Sequence, residues 1–115
     1  MFKFENLHVY QDAIEFVHLI YNYTKVFPKD ELFGITSQLR RAALSIVLNI
    51  AEGTSRTKKD FQHFINIARG SCFECAAILQ IAFEQEYISK KEYDLAYEKC
   101  EILSKRLNAL KSSLK

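Results

Sequence analysis

The stretch SQLRRAALSIVLNIAEGTSR, Ser37–Arg56, decides how the chain folds. At about 100° per residue, Leu39, Ala43, Ile46 and Ile50 fall on one face, and Gln38, Arg41, Ser45, Asn49, Glu52 and Arg56 fall on the opposite one. An apolar stripe facing a polar stripe is the pattern of a helix laid against a core. Arg40 interrupts it, because Leu44, Val47 and Ala51 flank it at helical spacing. Two readings stand for Arg40. Its stem can rest on aliphatics while the head reaches water or a carboxylate. Alternatively, its rigid fork can pair across helices or subunits with a glutamate such as Glu74.

Working outward, one proline and three glycines divide the chain into helical segments at about residues 8–26, 36–53, 57–86 and 90–113. In the first, Tyr10, Ala13, Ile14, Val17, Ile20, Tyr21 and Thr24 recur at helical spacing, and Pro28 is expected to stop it. Thr36 or Ser37 is expected to cap the second segment, with Gly53 just past its end. Thr57-x-x-Asp60 and Ser89-x-x-Glu92 have the form of capping boxes opening the third and fourth. Ala96, Cys100, Leu103, Leu107, Leu110 and Leu114 then alternate at spacings of four and three, a seam suited to shallow helix crossing. No segment alternates like a strand. The expected fold is all-α, a single-domain antiparallel up-and-down four-helix bundle over residues 1–115.

The apolar fraction of 49% and charged fraction of 26% are those of a soluble globular chain. The opening MFKFENLHVYQ lacks a signal-peptide apolar core, and no apolar run approaches ~18 residues, so a cytoplasmic location is expected. Net charge is only +2, so any affinity for nucleic acid must come from a local patch.

Glu15-x-x-His18 and Asp60-x-x-His63 invite a di-iron reading, which requires such motifs to project into the core. Gln11, Glu15, His18 and Asn22 instead share a stripe opposite the apolar face, and His63 faces away from Phe61, Phe64, Ile65 and Ala68. Cys72-x-x-Cys75 stands alone, without the second ligand pair zinc needs, and lies mid-helix in line with Ala68 and Leu79. Together with Cys100 it reads as small core hydrophobes. There is no nucleophile elbow and no Gly-rich phosphate loop. The expectation is a non-enzyme with no metal and no cofactor.

Basic residues give a positive signal. Arg56, Lys58, Lys59 and Arg69 face only Asp60 between Thr54 and Arg69, and Lys105, Arg106, Lys111 and Lys115 make the C-terminal stretch locally basic. Either loop ends simply collect lysine, or these residues form an anion-facing patch that holds phosphate backbones without reading sequence. The third segment also carries a second apolar face, Ile67, Gly70, Ile78 and Ile81, nearly opposite its core face. A helix apolar on two sides is expected to be buried twice, by its bundle and by another subunit, with Gly70 admitting a neighbouring helix.

The run FPKDELFGITSQLRRAALSIVLNIAEGTSR followed by KKDFQHFINIARGSCFECAAILQIAFEQEYI resembles the four helix bundle proteins, also called the 23S ribosomal RNA intervening-sequence proteins. The shared pattern begins at Phe4–Gln11. It continues through Phe27-Pro28-Lys29, Gly34–Ala42, Asn49–Gly53, Lys59-x-Phe61-x-x-Phe64 and Ala68-x-Gly70-Ser71 to a closing I-x-x-L-x-x-x-L. Two departures stand out: Val47 and Leu48 replace a proline and a small polar residue, and Ala76 replaces a second glutamate. The first implies a straighter second helix with a more apolar edge; the second removes a potential partner of the arginines.

The resemblance implies a bacterial protein whose left-handed bundle assembles as a ring, typically a homopentamer. It is also similar to the accessory variability protein of diversity-generating retroelements, in which a basic ring binds nucleic acid and the reverse transcriptase. It therefore implies structural or interface roles for Arg40, Arg41, Asn49, Glu52 and Glu74, and RNA or DNA as the partner of the basic residues. A protein-interaction adaptor, docking a helical partner on a Leu44–Leu48 edge, is the alternative.

Overall fold

Each of the four apolar-periodic segments forms a helix. The computed structural model describes residues 1–114 and contains α1 (His8–Thr24), α2 (Ile35–Thr54), α3 (Lys58–Glu84) and α4 (Lys90–Ser113), with short 3-10 turns at Lys3–Asn6 and Lys29–Glu31. No strand occurs among the described residues. Successive helices pack on one another and α1 closes against α4, while the backbones of the diagonal pairs stay farther apart among the described residues, as in an up-and-down bundle. The body measures 43 × 22 × 21 Å, its long axis set by α3, which at 1.5 Å per residue spans about 40 Å.

The core is a continuous column. Phe16, Ile20, Leu39, Ile46, Ile50, Ile65, Leu79, Leu103 and Leu107 are its largest fully buried side chains. The apolar stripes of α2 and α4 lie where their periodicity places them. By composition α3 is long and apolar enough to cross a membrane, but Ile65, Ala68, Cys72, Cys75, Leu79 and Ala82 face the bundle core.

Several ends differ from the sequence expectation, each for a local reason. The first helix stops at Thr24, four residues before Pro28; there the Thr24 hydroxyl donates to the Ile20 carbonyl at 2.8 Å. Neither Thr36 nor Ser37 caps α2, whose N-cap is Gly34; the Glu31 carboxylate accepts instead from the Ile35 N–H at 3.4 Å. Gly53 does not end α2 in a left-handed cap. It is buried inside the helix, and a Cβ there would lie 2.5 Å from Phe61 Cδ1 and 3.1 Å from Phe64 Cβ. Its task is to let α3 approach α2.

At Thr57 the hydroxyl accepts from the Asp60 N–H at 3.2 Å, and at Ser89 both halves of the capping box form. Helix α3 ends in a Schellman motif: the Tyr87 N–H reaches the Ala82 carbonyl and the Glu86 N–H the Phe83 carbonyl, each at 2.9 Å. Glu86 occupies the left-handed position with φ 63°.

The second face of α3 is open. Ile67 and Ile81 are exposed and a Cβ on Gly70 would meet nothing within 4 Å, whereas Ile78, expected on the same face, is half-buried against the core. Among the described residues no helix of the same chain approaches Gly70.

Candidate nucleic-acid interface

In an up-and-down bundle the end of α2, the start of α3 and the end of α4 share one pole. The chain thereby brings together the two basic stretches that lie some fifty residues apart in sequence. Gln62, in the second turn of α3, donates its side-chain amide to the backbone carbonyls of Lys111, at 3.3 Å, and of Leu114. Lys58 and Lys59 open α3 and are exposed, and Lys111 is half-buried; Lys105 is exposed too, but it lies beside Cys72 and Phe73, away from the pole. None of these lysines is in an ion pair among the described residues. Lys115 lies outside the described residues.

The arginines of the same stretches are differently employed. Arg56 pairs with Glu52 one helical turn back and lies 5.5 Å from the Phe64 ring. Arg106 pairs with Asp12 and ties α4 to α1. Arg69 sits ten residues beyond Lys59, roughly 15 Å along the helix, half-buried, with its Nε shielded and unpartnered among the described residues. Among the described residues, the cations at this pole that stand outside any ion pair are thus the lysines.

The polar stripe of α2 splits three ways. Gln38 and Arg41 are exposed. Asn49 donates to the Ser45 carbonyl at 2.8 Å and hydroxyl at 3.0 Å, and Ser71 donates to the same hydroxyl at 2.9 Å, so Ser45 bridges α2 and α3. Glu52 serves Arg56. Arg40 makes no ion pair with Glu74 within the chain. Its Nε donates to Thr24 Oγ1 at 2.7 Å and its guanidinium lies 4.7 Å from the Tyr21 ring centre, both on α1. Glu74 instead edges a groove of about 510 Å³ between α2 and α3, with Gln38, Ile78 and Ile81. Nothing in the sequence pattern singles out Thr24 as the partner, since a threonine at a helix end is ordinary.

Glu15, His18 and His63 are exposed and point outward. The three cysteines are free and buried. Burial holds the Cys72 thiol up at about 12, and a hydrogen bond with Cys100, with burial added, pushes Cys75 up as well. Such thiols stay protonated at neutral pH, and it is the thiolate that attacks or ligates.

The family model described as 23S rRNA-intervening sequence protein matches residues 5–109. Among solved structures, the chain is similar to a protein of unknown function from the S23 ribosomal protein family of Bacteroides thetaiotaomicron VPI-5482. The two share 26% identity and a TM-score of 0.83, over 90% of this chain and 97% of that one. No curated protein matches the chain. Neither the family nor the solved relative indicates an enzymatic activity. With nearly its whole length matched and its bundle shared, the chain belongs to the family of 23S rRNA-intervening sequence proteins.

Proposed function

We propose that the chain is a non-enzymatic, homo-oligomeric bundle that binds RNA or DNA weakly through its lysine-rich pole, without strong sequence preference. The observation that carries this reading is the convergence of Lys58 and Lys59 with Lys111 at one end of the molecule, joined through Gln62. Flexible unpaired ammonium groups suit contact with a phosphate backbone, where each contact releases a counterion. Self-assembly is supported by the solvent-facing Ile67, Phe73 and Ile81 on α3, apolar surface that a lone bundle leaves wet. A ring of five copies, as the family resemblance implies, would repeat the lysine cluster around one axis and add weak contacts together.

Filter binding at two salt concentrations tests the reading. Affinity should fall steeply with salt, and the Lys58→Gln/Lys59→Gln/Lys111→Gln variant should cut the log–log salt slope by roughly three. Absence of binding at low salt, or binding indifferent to salt, would sink it.

A second reading, a protein-interaction adaptor, has one observation in its favour. Leu48 is 62% and Phe2 70% exposed, and both line an open groove of about 750 Å³. Pull-down after nuclease treatment separates the two readings: a partner retained without nucleic acid favours the adaptor.

A further inference from the structure

At the pole opposite the lysine cluster, where α1 ends and α2 begins, lies a pocket of about 450 Å³. Lys25, Lys29 and Arg40 line it, as do Thr24 and Thr36, with Pro28 and Leu32 as its apolar wall. We infer that this pocket binds a phosphoryl anion, either inorganic phosphate or a small phosphomonoester.

The first observation is an orphan. Thr36 is 3% exposed, and its hydroxyl has no hydrogen-bond partner among the described residues. A buried hydroxyl left unpaired costs about 1–3 kcal/mol, so its persistence calls for an acceptor. Thr24 does not supply one: its hydroxyl donates to Ile20 and accepts from Arg40, and it makes no bond with Thr36.

The second is the donor set. Arg40 spends only its Nε on Thr24, so both Nη groups are without a partner among the described residues. That bond and the Tyr21 ring fix the guanidinium in place, so little side-chain entropy remains to be lost on binding. Lys25 and Lys29 are exposed and in no ion pair among the described residues.

The third is the start of α2. Its N-cap, Gly34, has no side chain to cap with, and the N–H groups of Thr36 and Ser37 have no acceptor among the described residues. Glu31 serves the Ile35 N–H and accepts from the Tyr87 hydroxyl at 2.8 Å; neither it nor Asp30 lines the pocket.

Charge and geometry select the ligand class. A carboxylate brings one charge and two oxygens. Three cations, a hydroxyl and free helix-start N–H groups can serve a doubly charged tetrahedral group better, with arginine donating a bidentate pair. The proposal does not rest on the nucleic-acid reading, which uses other residues at the other pole.

The test is an amide-proton NMR titration of the intact protein with inorganic phosphate, and separately with phenyl phosphate, against sodium chloride at matched ionic strength. Saturable shifts are expected at Thr36, Ser37 and the Arg40 Nε signal. The exposed double variant Lys25→Gln/Lys29→Gln should weaken binding roughly tenfold, and Thr36→Val should weaken it while leaving the ligand-free fold as stable or more so. Tighter binding of phenyl phosphate identifies a monoester as the ligand; equal binding identifies the bare anion. The Lys58→Gln/Lys59→Gln variant should bind phosphate as the parent does. No saturable shift, the same shifts with chloride, shifts centred on Lys58 and Lys111, or an unweakened Lys25→Gln/Lys29→Gln variant would each overturn the proposal.

Discussion

Arg40 Nε donates to Thr24 Oγ1 at 2.7 Å, and so fastens the first half of α2 to the last turn of α1. The same hydroxyl donates onward to Ile20, and the guanidinium rests over Tyr21. One half-buried arginine therefore holds a helix end, a ring and a neighbouring helix together.

Arg40→Ala should destabilise the fold by about 1–2 kcal/mol, the sum of a lost hydrogen bond and a lost cation–π contact. For a chain of this size that lowers Tm by roughly 4–8 °C for each kcal/mol. Arg40→Lys should recover little, because an ammonium lacks the Nε that Thr24 engages. A thermal melt in which Arg40→Ala matches the parent would contradict the account.

Gly53→Ala should be destabilising, against the rule that alanine improves a helix by about 1 kcal/mol over glycine. The new methyl would meet Phe61 Cδ1 at 2.5 Å and Phe64 Cβ at 3.1 Å, and both rings belong to the helix across the contact. Overpacking of this kind costs about 1–3 kcal/mol. Urea denaturation should show a lower midpoint with an unchanged slope, the sign of a native state weakened rather than remodelled.

Gly53 also marks the boundary of what the sequence makes legible. Periodicity locates the helices and most core residues, because hydrophobic burial acts along the whole face of each segment and repeats its signal. A single glycine near a helix end fits a cap as well as a close approach, and only the position of Phe61 separates them. The same holds for the site residues. The basic stretches are visible as composition, but their meeting at one pole follows from the up-and-down path of the chain, and the pairing of Arg106 with Asp12 follows from the packing of α4 on α1. Thr24 is visible only as one more residue at helical spacing, and Thr36 only as a candidate cap. Their roles come from one hydroxyl that is satisfied and one that is not.

Glu86→Gly should stabilise the protein. Glu86 holds φ 63° at the position of the Schellman motif that favours glycine, and a side chain in that region costs about 1 kcal/mol. Its backbone N–H bond to Phe83 survives the change. A rise in Tm of a few degrees checks this; a fall would mean that the Glu86 side chain contributes more than its backbone costs.

The thiols predict a pH dependence with a definite sign. Cys72 is held from 9.0 up to about 12 in the fold, while an unfolded chain releases that proton near 9. The unfolded state therefore binds fewer protons above that point, and stability falls as pH rises. Stability from this group should be fully present below pH 9 and lost progressively from pH 9 to about 12, by at most about 1.4 kcal/mol per pH unit per thiol. Cys75, raised through its bond with Cys100 and by burial, acts in the same direction. Denaturant melts across this range should show the decline, and Cys72→Ala should flatten it.

Gly70→Ala separates the chain alone from its assembly. The site is solvent-facing, with open space around a would-be Cβ, so the isolated bundle should gain about 1 kcal/mol from the better helix former. Ile67 and Ile81 flank it on the same exposed side of α3. If another subunit packs there, the added methyl enters that contact. Light scattering should then show a smaller mass or weaker association for Gly70→Ala, while the unfolding midpoint of the dissociated chain rises. A variant that is more stable and equally associated would place the subunit contact elsewhere, with Phe73 and Tyr97, exposed beside the α3–α4 groove, as the surface to mutate next.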